Sequence, residues 1–232
     1  MIADKLAQVH SRIASACAAA GRPVQSVTLL AVSKTLGVDD IAEAHAAGQR
    51  RFGENYVQEA VAKVAALDGL TPRPEWHLIG PVQSNKTRVV AATFDWVHSV
   101  DRLKVAERLS AQRPAGLAPL SVCVQVNVSG EASKSGVAPA DVGAVARAVA
   151  ALPGLRLRGL MAIPEVVVGA EPAAQRRPFA ALRMLFEQLR SDGLDVDTLS
   201  AGMSDDLEAA ILEGATMVRV GSAIFGERPR TA

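Results

Sequence analysis

Aromatic side chains are scarce in this chain of 232 residues, at 3%, and neither sign of charge dominates. The 25 Lys and Arg nearly cancel the 24 Asp and Glu, leaving a formal net charge of +1. A nucleic-acid-binding domain normally carries a basic face and stacking aromatics, so that class of partner is not expected. Cysteine occurs twice, at Cys17 and Cys123. The two do not form a metal or redox motif, and both read as small buried hydrophobes of a reducing compartment. No apolar run is long enough to cross a bilayer, and Met1-Ile-Ala-Asp-Lys-Leu6 enters a charged amphipathic pattern with no leader signature. The expectation is a cytoplasmic chain with no membrane partner. A glycine-rich dinucleotide fingerprint is also missing after the first apolar strand, where Ser33-Lys34-Thr35 stands, which counts against a nicotinamide-binding fold.

What the sequence does contain is a rhythm. Leu6, Val9, Ile13 and Cys17 lie on one helical stripe, and Gly21-Arg-Pro23 ends that helix. Eight β-rich runs follow: Val27–Val32, Arg51–Gly53, Glu75–Ile79, Trp96–Val100, Leu120–Val126, Leu155–Ile163, Thr198–Ala201 and Met217–Val220. Ala-rich segments of helical period separate them. Strands alternating with helices call for a parallel sheet, since the crossover helix returns the chain to the same edge. The nearly all-apolar run Leu120–Val126 fits a strand covered on both faces. Eight units at this length predict an α/β fold, a single (β/α)₈ TIM-type barrel domain over residues 1–232 with an additional N-terminal helix. An open doubly wound sheet is the alternative. Asp68–Glu75 and Glu165–Pro178 read as loops.

In such a barrel, functional side chains gather where strands end. The loops after the seventh and eighth strands, Ser200-Ala-Gly202-Met203-Ser204-Asp205-Asp206 and Arg219-Val-Gly221-Ser222, are rich in small, hydroxyl-bearing and flexible residues. Together they suit an anion cradle; the bland reading is helix capping by Asp205 with Glu208. Lys34 follows the apolar Leu29–Val32 and points towards that mouth, where a desolvated amine can attack an aldehyde to form a Schiff base. Aldehyde plus phosphate suggests pyridoxal 5′-phosphate (PLP), or else a phosphosugar. Arg219 faces either a ring nitrogen or a rim carboxylate such as Glu54 or Asp205. His77 reads as a core histidine, Asn55 as a helix N-cap, and Lys134 as an exposed loop lysine.

These segments resemble the pyridoxal phosphate homeostasis protein family over almost the whole chain. The likeness is carried by Leu30-Ala-Val-Ser-Lys34-Thr35, Phe52-Gly-Glu-Asn55-Tyr-Val-Gln-Glu59 and Trp76-His77-Leu-Ile-Gly80 with Gln83-Ser-Asn85-Lys86. Asn127 with Ser133-Lys134-Ser135-Gly136, Leu199–Ala210 and Met217–Gly226 complete it. The resemblance implies a barrel like the N-terminal domain of alanine racemase, with PLP as a Schiff base on Lys34. It further implies Ser200, Met203, Ser204, Gly221 and Ser222 around the phosphate, Arg219 at the pyridine nitrogen, Asn55 and His77 lining the ring, and Lys134 as a second PLP contact.

The implied role is buffering PLP and delivering it to PLP-requiring apo-enzymes within vitamin B6 balance, by a monomer without strong catalysis. A PLP-dependent racemase or decarboxylase of the same barrel is the competing reading, and a Schiff-base phosphosugar aldolase a third. Racemases of this type resemble a longer protein whose further domain supplies a catalytic tyrosine. Here the chain stops soon after its eighth unit, and Tyr56 is its only tyrosine.

Overall fold

The computed structural model describes residues 1–130, 135–164 and 171–226. Eight parallel strands close into a barrel in sequence order. They are β1 (Thr28–Val32), β2 (Arg51–Glu54), β3 (Glu75–Leu78), β4 (Trp96–Val100), β5 (Leu120–Gln125), β6 (Leu155–Met161), β7 (Thr198–Ser200) and β8 (Met217–Val220). Closure is made by β1 pairing with β8, with Leu30 opposite Arg219. The expected runs and the observed strands agree to within two residues at each end.

Helix α1 (Ile2–Ala19) precedes the barrel and buries Leu6, Val9, Ile13 and Cys17. It ends where Gly21 takes φ +65°, and Arg22 N–H closes back onto Cys17 O. The crossovers are α2 (Val38–Ala46), α3 (Val57–Ala66), α4 (Thr87–Thr93), α5 (Leu103–Gln112), α6 (Val142–Ala150), α7 (Pro172–Ser191) and α8 (Leu207–Leu212), and α9 (Ser222–Phe225) ends the described chain. Residues 172–174, read from sequence as loop, are helical, as are 175–178, where the expected loop and the helical period overlap. Pro172 takes the first helical position, which suits a residue without an N–H, while Phe179, Leu182, Phe186 and Leu189 bury one face and carry the helix past Pro178. None of the described helices is long and apolar enough to cross a membrane.

Strand alternation divides the core in two. Outward-facing residues such as Leu29, Ala31, Val97, Val122 and Val218 pack under the helices, and each fully buried aliphatic side chain stabilises by about 1.5–3 kcal/mol. Inward-facing Leu30, Trp96, Cys123, Met161 and Met217 form a smaller cluster inside the barrel. The lumen also holds polar residues with no exposed surface, among them His77, His98 and Ser200. Above these lies the mouth formed by the strands' C-terminal ends; below lies the opposite mouth.

Register shifts between β5 and β6 at Val122/Cys123, beside Gly159 at φ +152°. A Cβ on Gly159 would overlap Thr198 O on the neighbouring strand. Glycine is required there for both conformation and space. Gly159→Ala is expected to cost about 3 kcal/mol, the upper end of overpacking penalties, read from the urea midpoint; an unchanged midpoint would show that this strand pair relaxes freely.

Candidate functional site

The lysine loop is anchored from below. After β1, Ser33 is fully buried and its hydroxyl donates to Glu54 Oε1 at 2.6 Å. Lys63, on α3, is buried too, and its ammonium donates to Ser33 O (2.7 Å), Glu54 Oε1 (2.9 Å) and Glu59 Oε1 (2.5 Å). Thr35 sits at φ +62°, a left-handed conformation that costs a branched residue energy. Its N–H is received by Glu59 Oε1 at 2.5 Å. Ser33 and Thr35 are thus pinned on either side of Lys34, and Lys34 lines the cavity of about 380 Å³ at the upper mouth. Burial pushes the Glu54 carboxyl above its usual range despite bonds from Ser33 and Lys63.

The opposite wall comes from the last two loops. Gly202 takes φ +94°, where a Cβ would press into Ala210 Cβ. Its carbonyl accepts the Arg219 N–H at 2.9 Å, tying one loop to the other. Ser222 Oγ donates to Ser204 Oγ at 3.0 Å, and Ala223 N–H reaches the same oxygen at 3.4 Å. The N-terminal helix braces this assembly. Arg12 grips Glu208 with two bonds, 2.7 and 2.8 Å, and donates to Ser204 O at 2.8 Å. The expected Asp205–Glu208 capping box is therefore corrected. Asp206 is the residue at the start of α8, its carboxylate accepts Met203 N–H, and Glu208 is taken by Arg12.

Arg219 is almost wholly buried yet lines the same cavity. Its guanidinium donates to Ser200 Oγ at 2.8 Å and Ala162 O at 2.9 Å, and burial pushes its pKa down to about 10, so it stays cationic at neutral pH. The rim ion pair with Glu54 or Asp205 does not form, because Glu54 is held by Lys63. Asn55 lines the cavity, while Tyr56, not Asn55, stands at the start of α3.

Lys34, Asn55, Met203, Ser204, Arg219, Gly221 and Ser222 thus meet at one cavity. His77 and Ser200 do not reach its wall. Alternation along the third strand puts Ile79 at the cavity and His77 one layer deeper, bonded to His98 and Glu75. His77 is the hydrogen-bonded core histidine that its place inside the strand suggests. The ring contact implied by the resemblance is not seen in the lining of this cavity, and Ser200 lies under Arg219. Lys134 lies outside the described residues. Spacing gave no hint of the Lys63 clamp or the Arg12 brace. His98 went unassigned, although its place two residues after Trp96 puts both on one face of the strand. Among the described residues, no cluster of three or more His, Cys, Asp or Glu side chains could hold a metal.

A family model for the alanine racemase N-terminal domain matches residues 5–229. The chain belongs to that family. Within the alanine racemase N-terminal domain family, its curated relatives share nearly their full length with it. A Pseudomonas aeruginosa protein named pyridoxal phosphate homeostasis protein is 63% identical over 227 residues, 98% of this chain and 96% of the relative. An Escherichia coli protein of the same name is 53% identical over 231 residues, covering 98% and 97%. PipY of Synechococcus elongatus, solved with PLP bound, superposes with a TM-score of 0.84 at 40% identity, covering 97% of this chain and all of that one. Alanine racemase from Corynebacterium glutamicum, at 21% identity and a TM-score of 0.68, shares the fold, and this chain corresponds to 61% of it.

The Lys63 clamp yields a test. Removing one partner of a buried ion pair leaves the other charge stranded, at a cost of about 3–5 kcal/mol. Lys63→Met should lose stability of that order in urea titration, and adding Glu54→Gln should recover most of it. Additive losses in the double variant would show that the two charges do not depend on each other.

Proposed function

We propose that this chain binds PLP as a Schiff base on Lys34 and serves PLP homeostasis, buffering the cofactor and delivering it to apo-enzymes without turnover of its own. The observation that carries this reading is the convergence of an amine, a buried guanidinium and two facing hydroxyls on one cavity of about 380 Å³. That donor set suits a group combining an aldehyde, an aromatic ring nitrogen and a phosphate. The names of the curated relatives and the PLP-bound PipY support the same assignment.

When bound, PLP supplies a carbonyl carbon for an amine and an electron-withdrawing ring. The residues take the following parts. Lys34 offers the amine. The Ser204 and Ser222 hydroxyls, with backbone N–H groups around Gly221, would hold the phosphate, and Arg12 keeps Ser204 in place. Asn55 flanks the ring, and Ser200 holds Arg219 from below. Arg219 has only donors to offer, so it holds a ring nitrogen unprotonated and withdraws the electron sink on which carbanion chemistry depends. No histidine or tyrosine stands on the cavity wall among the described residues, where Asp205 is the carboxylate able to move a proton. The weakened electron sink is what favours a carrier over a racemase. We further assign Lys134 the role of a second amine that helps PLP leave, and the protein a monomeric state, which ultracentrifugation tests.

Borohydride reduction of the PLP-loaded protein should add the reduced cofactor's mass to the peptide containing Lys34. Lys34→Ala should lose that label and keep its fold, since the side chain lies at the mouth. Ser204→Ala with Ser222→Ala should weaken PLP binding by about 100-fold or more, at about 1.5–3 kcal/mol for each bond to a charged group. A label on another lysine, or unaltered affinity in the double variant, refutes the assignment.

Delivery is tested with a defined apo-enzyme while free PLP is trapped. Handover should persist despite the trap and slow in Lys134→Ala. Transfer abolished by the trap would reduce the function to storage, and equal rates in the variant would remove Lys134.

A further inference from the structure

A buried arginine ordinarily meets a carboxylate. Arg219 instead meets a hydroxyl and a backbone carbonyl. Past that hydroxyl the hydrogen bonds continue. Ser200 Oγ lies 2.8 Å from His98 Nδ1, a bond that crosses the lumen from β7 to β4. His98 Nε2 lies 2.9 Å from His77 Nδ1, and His77 Nε2 lies 2.8 Å from Glu75 Oε1. Ser200, His98 and His77 have no exposed surface. Glu75, by contrast, lines a separate cavity of about 480 Å³ at the lower mouth.

The direction of each bond follows from its two ends. A guanidinium can only donate, so Ser200 Oγ accepts from Arg219 and has its own proton left for His98 Nδ1. Accepting at Nδ1, a neutral His98 carries its proton on Nε2 and donates to His77 Nδ1. His77 then carries its proton on Nε2 and donates to Glu75, which as a carboxylate can only accept. The two ends leave one pattern of protons for the whole column.

The surroundings favour that pattern. Burial lowers the pKa of both histidines, and the neighbouring His77 and Arg219 hold His98 well below its usual value. Burial would raise the Glu75 carboxyl, but the bonds from His77 and Arg51 carry it below its ordinary range. Asp95 also faces His77, Asp206 faces Arg219, and the His77 ring stacks on Trp96 with centroids 5.2 Å apart. Chains of aligned hydrogen bonds polarise one another, and more strongly where the dielectric is low.

We infer that Glu75, at the lower mouth and also paired to Arg51, acts on Arg219 through a one-way hydrogen-bonded column of His77, His98 and Ser200. It does so in addition to the closer charge of Asp206. His77, His98 and Ser200 are positioning residues. They orient the guanidinium and let a carboxylate on the opposite side of the barrel set how strongly Arg219 polarises the group it meets. In what it says of bound PLP, this rests on the function proposed above; in what it says of the column, it does not.

The test uses the full chain labelled with ¹⁵N-histidine, first without PLP. Ring nitrogen shifts at neutral pH should report the Nε2–H tautomer for both His77 and His98, a result that needs no variant. Glu75→Gln keeps an acceptor oxygen for His77 but removes the charge, and should shift the ring signals of both histidines. Asp197→Asn removes a charge from the same mouth off the column, and should leave His98 unmoved. With PLP bound, the visible absorption band should shift in Glu75→Gln and hold in Asp197→Asn. An Nδ1–H tautomer or a protonated ring overturns the inference, as does a Glu75→Gln effect confined to His77. Borohydride labelling of Lys34 in the same samples reports separately on the proposed function. If labelling fails while both histidines respond, the column stands and the PLP assignment falls.

Discussion

The arrangement of the upper mouth turns on keeping the Arg219 guanidinium inside the barrel. A cation stripped of water costs several kcal/mol unless its donors are met, and here they are met by Ser200 and by the carbonyl of Ala162. Those two partners come from the ends of β7 and β6, so the guanidinium links three successive strands at the cavity floor. The Arg219 backbone adds a third restraint, since its N–H binds Gly202 O and draws the seventh loop against the eighth. Ser204 and Ser222 come within 3.0 Å of each other in consequence.

The lysine side is built on a different principle. Lys34 is presented by a loop whose strained Thr35 and buried Ser33 are fastened to Glu59, Glu54 and Lys63. That cluster is ionic and lies outside the lumen, whereas the Arg219 floor is a column of largely neutral groups within it. A lysine presented on a clamped loop thus faces a buried cation and a pair of hydroxyls across one cavity, an arrangement that suits the cofactor binding proposed above. Helix α1 belongs to the same design. It covers the outside of the barrel, and through Arg12 it steadies the carbonyl of Ser204.

Much of this was legible in the chain. Eight strand-rich runs alternate with helical segments, so eight βα units could be read from the chain. Closure into a barrel, expected from their number and the chain length, is what the structure shows. Position at strand ends placed Lys34, Asn55, Met203, Ser204, Arg219, Gly221 and Ser222 at one mouth, and they do meet there. His77 was harder because a strand of four residues leaves little to say how deep each inward side chain lies. Ile79 takes the level of the cavity and leaves His77 beneath it. Glu208 was read as a local cap since sequence offers only near neighbours as partners; its actual partner, Arg12, is 196 residues away. Pro178 suggested a loop, but the buried face of α7 outweighs the one missing N–H.

By itself the sequence determined the number and chain order of the strands and which residue types gather where those strands end. Those properties depend on spacing along one segment, and spacing survives without coordinates. Only the tertiary structure decided which polar side chains meet across the lumen. The contact between His98 and Ser200 joins residues 102 positions apart on strands that are not neighbours in the sheet. Such a pairing depends on the tilt and closure of the whole barrel, a property of all eight strands together that no single stretch of chain encodes.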